Sequence, residues 1–167
     1  MLRELIEVLK KENEILESLI ECGNLKQQYI IADNVKELDK LLPKEHVLLA
    51  NLNTWEDKRL MLQEKMADYW QVKREELTAD KMLEQVKASF PFFYPEFAEI
   101  MDALTANLSF LQRLNRHNNE LIEQALQYIE TVQVLLEGDE AGVYGQKNNP
   151  AGGKVSKPGI NLIDKKV

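Results

Sequence analysis

Between Pro95 and Glu137 apolar residues recur at alternating steps of three and four: Leu104, Leu108, Leu111, then Ile122, Ala125, Ile129, Val132 and Leu136. That spacing predicts one helix of roughly 43 residues, about 65 Å long. With Leu108, Ile122, Ile129 and Leu136 as a positions of a heptad, a further apolar column falls at g: Leu114, Leu121, Tyr128 and Leu135. A two-stranded coiled coil uses only a and d, so this helix is expected to cover more than one neighbour. Asn115 and Asn118 stand where the period calls for apolar residues, and a buried amide must find a partner. They face a wet edge of the bundle or set helix register, or else they lie on a groove that another chain fills. Pro95 suits the first turn, and Gly138 is expected to end the helix.

The stretch before Pro95 also favours an all-α fold. Six of the chain's seven glycines lie at or after Gly138, so the preceding stretch is almost free of helix breakers. Leu2, Leu5, Ile6, Leu9, Leu16, Leu19 and Ile20 predict a first helix to about Ile31, with Gly23 and Asn24 as a weak point. Asn34 and Glu37 have capping-box spacing and open a second helix to about Gln71. Pro43 is expected to kink that helix, or to split it by opening the next. The short connection makes the first two helices antiparallel neighbours. Thr78 caps a short helix through Val86, with Asp80 in its first turn. From Phe90 to Phe97 lie five of the twelve aromatic residues, between Ser89 and the end of Pro95's turn. They read as a plug for the bundle end or as an exposed patch for a partner.

The expected fold is therefore all-α: an elongated antiparallel helical bundle or coiled coil of three main helices plus a short helix, with a flexible C-terminal tail. Residues 1–137 form the bundle domain and 138–167 a flexible Gly/Lys-rich tail holding two apolar islands, Val143-Tyr144 and Ile160 to Ile163.

A net charge of -7 opposes sequence-independent nucleic-acid binding and anionic membrane surfaces. No segment has the length and apolarity for membrane insertion, and the first residues carry Arg3, Glu4 and Glu7 in place of a signal-peptide core, so a cytoplasmic location is expected. One cysteine and two histidines cannot assemble an ordinary zinc site, and neither His46 nor His117 completes the Glu-x-x-His unit of a di-iron bundle. Cys22 reads as a small packing residue and His117 as a solvated c position. Neither an enzyme nor a cofactor is expected.

The run Arg113-Leu-Asn-Arg-His-Asn-Asn-Glu-Leu-Ile-Glu-Gln-Ala-Leu-Gln-Tyr-Ile-Glu130, then Leu135-Leu136 and Gly142-Val-Tyr-Gly145, resembles the C-terminal region of the FlgN family of flagellar type III export chaperones. Ala32-Asp-Asn-Val-Lys-Glu-Leu-Asp-Lys-Leu-Leu42 resembles that family's second helix. The resemblance implies a non-catalytic role: holding the C-terminal helical segments of the hook-filament junction proteins FlgK and FlgL, and delivering them to the export gate component FlhA. Carried over by position, it places substrate contacts at Asn118, Leu121, Ile122, Ala125, Leu126, Ile129 and Val132, and gate docking at Tyr144. A long helix with surplus apolar width can accept a guest helix in its groove. The competing reading is a structural coiled-coil scaffold that satisfies this width by self-association into a homo-oligomer.

Overall fold

The computed structural model describes the backbone of residues 1–143 and the side chains to residue 136. It contains four α-helices, α1 (Leu2–Ile31), α2 (Val35–Trp70), α3 (Ala79–Ser89) and α4 (Tyr94–Val143), with a short 3-10 turn at Arg74–Glu76. No strand occurs among the described residues. The chain divides into two units, Met1–Gln127 and Tyr128–Val167, the second described only as far as residue 143.

Local chemistry sets the boundaries. After α1 the chain reverses through a Schellman turn: Asn34 N donates to Tyr29 O and Asp33 N to Ile30 O, with Asp33 at φ 51°. Asn34 Oδ1 then accepts from Glu37 N at 3.3 Å and caps α2. Glu37 does not complete the reciprocal half of the box; its carboxylate pairs with Lys40 at 2.6 Å. The same turn recurs after α2, where Gln71 takes φ 55° and Val72 N donates to Ala67 O. Thr78 Oγ1 accepts from Lys81 N and caps α3 as its spacing predicted.

α2 runs unbroken through Pro43, so of the two alternatives expected there the split, with Pro43 opening a new helix, does not occur. Proline is tolerated there because it lies on the solvent side, where water can solvate the carbonyl that loses its N–H partner. Gly138 likewise does not stop α4, which continues to Val143. A single interior glycine costs about 1 kcal/mol, less than a run of good helix formers around it supplies. The expected tail from residue 144 onward lies outside the described residues.

In the first unit α2 returns antiparallel along α1. Lys26 Nζ meets Glu45 Oε1 at 2.6 Å near one end, and Arg59 Nε meets Glu12 Oε1 at 3.1 Å further along. Within the same unit, α4 runs parallel to α1. Lys10 pairs with Glu96, Asn13 with Asn107, and Gly23 with Asn118, both numbers rising together. α3 closes the end where Leu2, Leu5 and Ile6 of α1, Met66 of α2, Met82 and Val86 of α3 and Phe97 of α4 share one core. Trp70 Nε1 donates to Ser89 Oγ at 3.1 Å and ties the ends of α2 and α3 together.

The aromatic block is chiefly this plug. Phe97 is completely buried, and Phe90, Phe93 and Tyr94 pack partly buried on the core. Phe92 alone among the five points out, 86% exposed, and stacks edge-on to Phe93 at 5.3 Å.

Candidate partner-binding surface on the last helix

Along most of its length α4 turns d and g, rather than a and d, to the bundle, although Tyr94 and Met101 at a pack on the core near its start. In the first unit its inward positions are d and g: Phe97, Leu104 and Asn118 are buried at d, Leu114 is buried at g, and Ile100, Asn107 and Leu111 are half-buried between them. Leu108 and Asn115, at a, are exposed. The helix is turned because α1 offers a specific seat at Gly23. A Cβ added there would stand 2.6 Å from Leu114 Cδ2, so the two helices approach through the missing side chain. Beside that contact Asn118 Nδ2 donates to Gly23 O at 2.8 Å.

Asn118 is 1% exposed, which removes it from the residues expected to touch a guest. Its amide is spent on the backbone of α1, a register-setting bond between neighbouring helices. Its Oδ1 is buried without a hydrogen-bond partner. Gly23, read in sequence as a weak point of α1, is the crossing itself.

The remaining expected contacts are placed differently. Leu121 and Ile122 are half-buried, while Ala125 and Leu126 are exposed, Leu126 by 55%. In the second unit Ile129 is 50% exposed and Val132 is half-buried. Among the described residues, none of the apolar side chains that follow Asn118 is fully enclosed. Tyr144 lies outside the described residues. Sequence reasoning passed over Val134 as a surface residue, although it is 68% exposed, and listed Tyr128, Leu135 and Leu136 only as part of the apolar stripe. The available signal was the loss of a polar face: from Leu126 onward apolar residues occupy five of the seven heptad positions.

Elsewhere the first unit holds one buried carboxylate. Glu12 occupies an apolar-spaced position of α1; burial pushes its pKa up, and the guanidinium of Arg59 opposes that rise. Arg59 also reaches Gln63 and Glu56, each at 3.1 Å. A raised folded-state pKa means that the group favours the fold at pH values below its unfolded pKa, and that this contribution is lost as pH rises through the folded one. Arg59→Ala removes the opposing charge and lifts the Glu12 pKa further. We expect a loss of about 1–3 kcal/mol at pH 7.5, below the fully buried range because Arg59 is partly solvated, and a smaller loss at pH 5. Urea unfolding at the two pH values measures it, and an equal loss at both would contradict this account.

Burial also raises the Cys22 thiol, which disfavours a reactive thiolate. Among the described residues no three His, Cys, Asp or Glu side chains cluster to hold a metal ion, and no helix is long and apolar enough to cross a membrane. A shallow cleft of about 320 Å³ between α1 and α2 is lined by Val8, Trp55, Met61 and Leu62, with Lys58 over the Trp55 ring at 3.9 Å.

A helical bundle whose last helix leaves apolar side chains uncovered has the build of a protein that binds other helices. The model of the FlgN family, described as FlgN protein, matches residues 1–152, and the chain belongs to that family. Membership implies a flagellar export chaperone. No curated protein and no solved structure matches the chain.

Proposed function

We propose that this chaperone binds the C-terminal helical segments of the hook-filament junction proteins FlgK and FlgL in the cytoplasm and delivers them to the export gate component FlhA, without catalysing a reaction. The observation that supports this reading is the exposed apolar surface of α4, where Leu126 and Ile129 are each at least half exposed. The residues assigned to guest contact are Leu121, Ile122, Ala125 and Leu126, with Ile129 and Val132 on the following turns. Tyr144 is assigned to gate docking on family likeness alone. Covering one such half-exposed aliphatic side chain contributes on the order of 1 kcal/mol before the cost of association, which favours a capture that leaves the guest removable.

The experiment is calorimetric titration of the full chain with the C-terminal segment of a junction protein. Ile129→Asp places a charge where an aliphatic group is to be buried, and is expected to weaken capture by roughly 10- to 100-fold. Its folding is checked by circular dichroism. If the segment does not bind and the chain is instead a tight oligomer in gel filtration, the self-associating scaffold is the correct reading.

A further inference from the structure

The described part of the second unit, residues 128–143, is entirely helical. Tyr128, Ile129, Leu135 and Leu136 repeat at heptad spacing along one side, and each is at least half exposed. Between Tyr128 and Gln146 every charged residue is acidic: Glu130, Glu137, Asp139 and Glu140, with no Lys or Arg before Lys147. Glu130 is exposed beside the apolar side.

Resting on the carrier reading above, we infer that the occupant of this face is an amphipathic helix of another protein whose apolar stripe is flanked by Lys and Arg. The apolar side chains supply affinity by leaving water. Exposed Glu130 and the acidic bias of the sequence around it select the partner, because a guest flanked by Glu or Asp would bring like charges together as the interface dries. A second copy of this chain is disfavoured on the same ground, since pairing the stretch with itself doubles the carboxylates at one seam. Lys and Arg also carry aliphatic stems that extend the covered apolar area while their heads reach the carboxylates.

The full chain is titrated with three synthetic helix-forming peptides at about 50 mM and about 500 mM NaCl, where the screening length falls from roughly 14 Å to roughly 4 Å. Two share one Leu stripe, flanked by Lys and Arg in the first and by Glu in the second. The third has the first one's composition in scrambled order. At low salt the basic amphipathic peptide is expected to bind about tenfold or more tighter than the acidic one, with the gap shrinking at high salt. The Glu130→Lys variant is expected to narrow the gap further. Equal affinity of the basic and acidic peptides overturns the inference, as does equal affinity of the scrambled one, which would reduce the effect to net charge. A parallel titration with the junction-protein segment separates the two levels. If that segment binds while the peptides are not discriminated, charge selection fails and the carrier function stands; if neither segment nor peptides bind, both fail.

Discussion

Phe97→Ala is expected to destabilise the first unit by about 3–5 kcal/mol, the usual cost of emptying a fully buried aromatic site. Phe97 has no exposed surface and packs in the same core as Leu5 and Ile6 of α1, Met66 of α2 and Val86 of α3. The cavity would sit where all four helices converge, and none of them can close it without pulling away from the other three. At roughly 2–4 °C per kcal/mol for a unit of this size, the midpoint of thermal unfolding should drop by about 6–20 °C. Phe92→Ala is the matched control. Phe92 is 86% exposed, and its loss should stay within about 0.5 kcal/mol. Scanning calorimetry on the two variants checks the pair, and similar melting points would mean that the bundle end is not organised around Phe97.

Gly23→Val is expected to destabilise by about 2–4 kcal/mol, against the direction that helix propensity alone gives. Valine exceeds glycine in a helix interior by a few tenths of a kcal/mol. Here its Cβ would arrive 2.6 Å from Leu114 Cδ2 and 3.2 Å from Leu114 Cγ. Leu114 is itself buried and cannot move freely, so α4 is pushed off α1 at an overpacking cost of about 1–3 kcal/mol. The displacement also stretches the 2.8 Å bond from Asn118 Nδ2 to Gly23 O, and an amide already carrying one unsatisfied atom would lose its partner at a further 1–3 kcal/mol or so. Asn24→Val, one residue on and exposed, should be close to neutral. Chemical denaturation of both variants reads the difference; a Gly23→Val protein as stable as the parent would show that the helices do not meet through this glycine.

Both predictions concern contacts between helices, and that is where sequence reading ran out. The helices themselves were legible because their causes are local. Asn34 and Thr78 cap from within three residues, and the apolar period of α1 lies wholly inside the segment that it describes. The turn at Asp33 made α1 and α2 neighbours by its shortness. Gly138 misled for the complementary reason, and Pro43 left two alternatives open: each is a local penalty of a few kcal/mol at most, and the length of the helix around it outweighs the interruption.

The face that α4 turns inward was not legible. A repeat with apolar residues at a, d and g is compatible with more than one buried pair of columns, and it left Asn118 open between setting register and lining a groove for another chain. Its acceptor, a carbonyl 95 positions earlier in the chain, places Asn118 at the α1 contact, and burial of Leu114 at g beside it shows that d and g face inward there. The same rotation exposes Leu108 and buries Leu114. Of the candidate surface, Ile129 was identifiable from the apolar period and Leu126 only from the family resemblance, whereas the exclusion of Asn118 required the position of α1.

The amino-acid order by itself thus determined that this chain is helical, where its helices begin, and that its last helix carries more apolar surface than one neighbour covers. Those properties follow from side chains acting within a few residues of one another. Tertiary structure decided which of these apolar side chains are used up inside the bundle and which stay available, because burial depends on what another helix brings to the same place. For α4 that helix is α1, and the decisive group is a glycine whose absent side chain lets Leu114 and Asn118 in.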